Sequence, residues 1–90
     1  MSRRILKFAV SPGVTAIETV GEPRFLAVGA RGREVVVWAE ADIDGTKDVL
    51  TLLRSVMTGD GAPDDRYRYV GTAEQSEGIV VHVYQAPGKP

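Results

Sequence analysis

The sequence predicts an all-β domain, mainly antiparallel, built as a compact sandwich or open barrel of about six to seven short strands. Two observations predict it. Turn-forming residues cut the chain into pieces of about six to ten residues, and the pieces between the cuts are rich in β-branched and aromatic side chains. The cuts fall at Pro12-Gly13, Gly21-Glu22-Pro23, Arg31-Gly32-Arg33, Asp44-Gly45, the glycine and aspartate run from Gly59 to Asp65, and Ser76-Glu77-Gly78.

The first strand, Ile5 to Val10, places Leu6, Phe8 and Val10 on one face and Lys7 on the other, the alternation of a half-buried strand. Val14 to Val20 and Phe25 to Ala30 follow as separate strands on either side of Gly21-Glu22-Pro23. Phe25 to Ala30 then turns through Arg31-Gly32-Arg33 into Glu34 to Glu40. A similar hairpin joins Tyr69 to Gln75 with Ile79 to Tyr84 through Ser76-Glu77-Gly78. The second member of each hairpin is apolar almost throughout, Val35-Val36-Val37-Trp38-Ala39 and Ile79-Val80-Val81-His82-Val83, so both belong in central positions covered on both faces. Residues 48–57 read two ways. Val49, Leu50, Leu53, Val56 and Met57 recur at helical spacing, giving an α+β alternative with one helix there, but a strand covered on both faces fits the same residues.

Ninety residues with 43% hydrophobic and 26% charged content suit one core, so residues 1–85 form a single β-rich domain. Residues 86–90, with two prolines and little to bury, form a flexible tail. The chain has no cysteine, which removes disulfides, thiolate metal sites and cysteine nucleophiles and fits a reducing cytoplasm. Lys7 interrupts the early apolar run before a signal-peptide core forms, and no stretch approaches the roughly 20 apolar residues of a helical membrane span. A net charge of -1 supplies no global field for nucleic acid.

His82, the only histidine, shares a strand face with Val80 and Tyr84, and no Ser, Cys or Asp signature accompanies it. It reads as a packing residue beside Trp38, Phe8, Val36 and Val81 in the structural core, and no catalytic residue is assigned. The carboxylates Asp42, Asp44 and Asp48 lack the full spacing of a calcium loop, and Asp60, Asp64 and Asp65 suit turn formation, so neither a metal nor a cofactor is expected. Thr58-Gly59-Asp60-Gly61 lacks the lysine of a phosphate loop. The arginines are the main surface feature: Arg31 and Arg33 at a hairpin tip, and Arg66 and Arg68 alternating with Tyr67 and Tyr69 so that arginines and tyrosines leave opposite faces. These six residues are the candidate interaction surface. Pairing with Glu34, Asp64 and Asp65 is the plainer explanation of the charges.

Several residue groups together resemble small uncharacterised proteins of tailed bacteriophages of actinobacteria, mycobacteriophages especially, and of related prophages. They are Arg3-Arg4-Ile5-Leu6-Lys7-Phe8, Val36-Val37-Trp38-Ala39, Thr58-Gly59-Asp60-Gly61-Ala62-Pro63, Tyr69-Val70-Gly71-Thr72 and Val80-Val81-His82-Val83-Tyr84. The likeness spans nearly the whole chain through core and turn residues. It implies a shared fold and a phage origin, carries no biochemical activity, and favours the strand over the helix at Leu52 to Met57. Where that family pattern has Gly-Thr-Gly-His, this chain has Met57-Thr58-Gly59-Asp60, so chemistry resting on that histidine is lost.

The function expected is a non-enzymatic interaction module, acting in the cytoplasm of the infected bacterial host, that binds a host or phage protein through a sheet edge or an arginine-bearing loop. Homo-oligomerisation through strand pairing is compatible with it. The alternative is a β-domain that binds a nucleotide or oligonucleotide through the arginine-bearing loops. No membrane partner is expected.

Overall fold

Six antiparallel strands make up the computed structural model, which describes residues 2–88. They are β1 (Arg3–Val10), β2 (Gly13–Arg31), β3 (Glu34–Asp42), β4 (Val49–Met57), β5 (Arg68–Glu74) and β6 (Val80–Gln85), with a 3-10 turn at Ser76–Gly78. All lie in one sheet of order β1–β3–β2–β4–β6–β5, curled into a half-barrel. The fold is therefore all-β, and Val49–Met57 form a strand where the helix was the alternative. Thr51 and Leu53 turn inward there while Leu50 and Leu52 face out. The helical spacing of this segment came from outward apolar residues that a strand leaves exposed.

The expected break at Gly21-Glu22-Pro23 does not divide two strands. The chain from Gly13 to Arg31 is one 19-residue strand, pairing with β4 over Gly13 to Thr19 and with β3 from Val20 onward. Between Val20↔Asp42 and Arg24↔Glu40, β2 advances four residues while β3 advances two, so two extra residues are accommodated as a bulge. Gly21 supplies the conformation, with φ at +71°. Its N–H donates to the Asp48 carboxylate at 2.9 Å, and its carbonyl accepts from the buried Thr19 hydroxyl at 2.7 Å. Asp48, weighed above as a cation ligand, fastens this bend.

The bend lets the inner faces of the two halves meet. Val10 and Val37 from one half pack with Ile17, Leu53, Val81 and Val83 from the other, and Phe8, Phe25, Val28 and Val70 pack around them. Val37, Leu53 and Val83 are fully enclosed, and each such side chain contributes about 1.5–3 kcal/mol by leaving water. Closure brings β5 against the second half of β2: a Cβ on Gly71 would lie 2.7 Å from Val28 Cγ2, too close for any other residue without movement. At the same end the hairpin tips are joined, Ser76 N–H donating to the Gly32 carbonyl at 2.8 Å and the Gln75 side-chain amide donating to the Arg33 carbonyl.

Both apolar strands, β3 and β6, take interior positions, each one place in from a sheet edge. Val81 belongs to the inner cluster, and Phe8 packs on it. Val36 is buried but lies on the opposite, outer face, opposite Ala9 and Gly29. Trp38 is half-buried on that face and lies across Gly29, where a Cβ would fall 2.7 Å from the indole ring. The indole thus needs a glycine beneath it. Of the tail, the Ala86 N–H donates to the Leu52 carbonyl at 2.8 Å, while Lys89 and Pro90 lie outside the described residues.

Because Gly21 holds a left-handed conformation inside a continuous strand, Gly21→Ala should cost about 1–2 kcal/mol. In a domain of this size each kcal/mol lowers the melting temperature by about 4–8 °C. Calorimetry that finds the variant as stable as the parent would remove the bend from its structural role.

Candidate binding site at the mouth of the half-barrel

Where the two halves diverge beyond the core, the inner face opens into a cavity of about 590 Å³. Its apolar wall comes from the ends of four strands: Val10 of β1, Val35 of β3, Met57 of β4 and Val81 of β6. Arg33, Arg54, Asp60, Gly61 and Gln75 complete the lining. Local hydrogen bonds fix the surrounding backbone. The Ser55 hydroxyl donates to the Ser11 carbonyl at 3.0 Å and accepts from the Gly13 N–H at 3.1 Å, tying β4 to the β1–β2 turn. The Asp60 carboxylate accepts from the Met57 N–H at 3.0 Å, and the Asp60 N–H returns a bond of 3.0 Å to the Met57 carbonyl, closing the turn after β4. Cavities of this size in β-barrel mouths are common ligand sites.

Outside the sheet, His82 sits in a hydrogen-bonded row. Its Nε2 meets the Thr58 hydroxyl at 2.8 Å and its Nδ1 meets the Thr72 hydroxyl at 2.9 Å, and Thr72 in turn meets the Tyr69 hydroxyl. Tyr69 stacks edge-on against Tyr84 with ring centroids 5.6 Å apart. Each hydroxyl can donate or accept, so the row is satisfied in either tautomer. A threonine hydroxyl, and no carboxylate, stands behind the ring, so His82 lacks the orienting charge of a catalytic triad.

The six residues proposed as an interaction surface do not form one patch. Arg31 and Arg33 flank the tip of the β2–β3 hairpin, and Arg33 pairs with Glu77 at 3.2 Å, across the joined tips, where sequence reasoning favoured Glu34. Arg66 and Tyr67 precede β5, which starts at Arg68, so strand alternation does not sort these arginines and tyrosines onto opposite faces. Arg66 folds back onto Asp64 at 3.1 Å. Tyr67 carries the Arg54 guanidinium 5.7 Å above its ring. Arg68 and Tyr69 line a separate depression with Pro23, Arg24 and Phe25. Arg54 was missed because its neighbours in sequence are apolar, and only the fold brings it to Tyr67 and the mouth. Among the described residues no three His, Cys, Asp or Glu side chains gather closely enough to hold a metal ion, and no helix is long and apolar enough to cross a membrane.

A family model described as a domain of unknown function, DUF7352, matches residues 1–90, and the chain belongs to that family. Comparison with curated proteins and with solved structures gives no match. Hydrogen bonds from the Arg66 side chain, followed by the one from its backbone N–H, hold the Asp64 carboxyl below the ordinary aspartate range. A carboxyl lowered in this way adds stability above its unfolded-state pKa and loses it as the pH falls through the folded value. The pair is exposed, so the contribution is small. In Arg66→Ala the carboxyl titration followed by NMR should move up while staying below the ordinary range, because the backbone donor remains; an unmoved titration would contradict the pairing.

Proposed function

We propose that this DUF7352 domain is a non-enzymatic module that binds another protein. The observation that carries this reading is the outer face of the β2–β4 ladder. Val14 is 62% exposed, Leu50 63% and Leu52 41%, with Ala16 directly opposite Leu52 between them. Their side chains leave the same side of the sheet, away from the core, because Thr15, Ile17, Thr51 and Leu53 take the inward positions. Contiguous apolar area of this kind on a soluble domain marks an interaction surface more often than single exposed residues do. Glu18, beside Leu50, and Arg54, beside Val14, bound the stripe with opposite charges at its two ends. Such an arrangement also suits an antiparallel second copy, so self-association uses the same face.

The resemblance of the residues quoted above to proteins of actinobacterial tailed phages supports a phage-encoded protein made in the host cytoplasm, with a host protein or a phage assembly protein as partner. The nucleotide-binding alternative has weaker support, since Arg33 and Arg66 are each bridged to a carboxylate on the protein.

The test is a Leu50→Lys, Leu52→Lys double variant, which places two charges on the stripe without touching the core. Tagged wild type expressed in an actinobacterial host should retain a defined protein, or a second copy of itself, that the double variant retains about tenfold less, equivalent to ~1.4 kcal/mol. Identical retention by both baits, with both monomeric by light scattering, would refute this surface.

A further inference from the structure

On the premise that the outer β2–β4 stripe is a protein-binding surface, we infer that its occupant is a second copy of this chain, packed face to face about a two-fold axis through the Ala16–Leu52 pair.

The order of residues along the stripe makes it self-complementary. Three cross-strand pairs follow one another on the outer face: Val14 opposite Arg54, Ala16 opposite Leu52, and Glu18 opposite Leu50. The apolar centre is therefore flanked by a base at one end and an acid at the other. A half-turn about an axis in the plane of the interface, perpendicular to the strands and through the middle pair, sets β2 over β2 and β4 over β4 with their directions reversed. The middle pair then faces its own copy, and the Val14–Arg54 pair lies over the Glu18–Leu50 pair of the second copy. Arg54 thus meets Glu18 of the second copy on the diagonal, and symmetry makes that contact twice. Packed sheets stand about 10 Å apart, a gap that arginine and glutamate side chains span from opposite sides.

Charge favours a second copy over an unrelated protein. Among the described residues neither Glu18 nor Arg54 joins an ion pair, and the Arg54 guanidinium stands 5.7 Å from the centroid of the Tyr67 ring. Both charges are unmatched within the chain and matched by the rotation. An unrelated partner would have to carry an apolar strip with an acid and a base spaced to suit; a second copy carries them by construction. The net charge of -1 sets little repulsion between two copies. Because the half-barrel curls away from its outer face, contact is confined to the stripe, and the dimer belongs to the small, reversible class.

The experiment measures self-association of the full chain by light scattering and sedimentation over a dilution series. Wild type should dimerise reversibly, and the Leu50→Lys, Leu52→Lys variant should stay monomeric. Glu18→Arg or Arg54→Glu alone sets like charges against each other at both contacts and should weaken the dimer about tenfold. An equal mixture of these two single variants should recover wild-type affinity as a heterodimer, because each brings the charge the other lacks. Glu18→Gln leaves the Arg54–Tyr67 contact intact and should fall between wild type and Glu18→Arg, a series that reads the charge even where Arg54→Glu loses its dispersed NMR spectrum. Wild type that is monomeric at every concentration would overturn the second copy as occupant. If that monomer still retains a different protein that the double variant loses, the protein-binding surface stands without it. A dimer indifferent to the double variant, equal affinity across the Glu18 series, or a mixture of folded single variants that fails to recover would each overturn the two-fold arrangement.

Discussion

The bend in β2 is the constraint on which this structure depends. One strand of 19 residues serves as the seam between a three-stranded half, β1–β3–β2, and a four-stranded half, β2–β4–β6–β5, and it can belong to both only by changing direction near Gly21. A straight strand would leave an open sheet whose inner face was exposed along its length. The bulge increases local twist, as bulges do, and turns the two halves toward one another. The glycine conformation, the Thr19 hydroxyl and the Asp48 carboxylate all act at this point, so residues from two places in the sequence converge on one curvature. Everything downstream follows: the enclosed valines and Leu53, the approach of Gly71 to Val28, and the joined hairpin tips.

Curling the sheet also distributes function-bearing surface. The inner face is consumed by the core except at one end, where the halves splay and leave a cavity. The outer face has no second layer to cover it, so apolar residues that a sandwich would have buried remain in water at Val14, Leu50 and Leu52. A domain of this size has few ways to cover such a face unaided. The stripe and the cavity are thus two consequences of the same closure. The charges of β1 bear on this too, since Arg4 and Lys7 on the outermost strand discourage edge-to-edge pairing and leave the outer face as the better contact surface.

Strand content was legible because alternation and turn residues are local signals. The hairpins at Gly32 and Ser76–Gly78, and the interior places of β3 and β6, were readable from an apolar run preceded by a glycine turn. What the local pattern could not contain was context. Gly21 and Pro23 look identical whether they end a strand or bend one, because the difference lies in Asp48 and Thr19, one of them 27 residues away. Leu50 and Met57 helped imitate a helix because exposed apolar positions carry no label of exposure. The same limit applied to the site. Arg33 was visible at its hairpin tip, but its partner Glu77 arrives from the other hairpin, and Arg54 reaches the mouth only through the register of β4. His82 and Trp38, expected in the core, stand half-buried on the outer face, where threonine hydroxyls and Gly29 receive them.

The most direct measurement is the contact that the bend creates and no flat sheet can make. Nuclear Overhauser effects between the Val28 methyl groups and the Gly71 α-protons should be strong, accompanied by slow exchange of the Ser76 amide bonded to Gly32. An open sheet would keep the β2–β3 and β4–β6 cross-peaks while losing the Val28 to Gly71 contact, and that result would contradict the closure on which the cavity and the outer stripe rest.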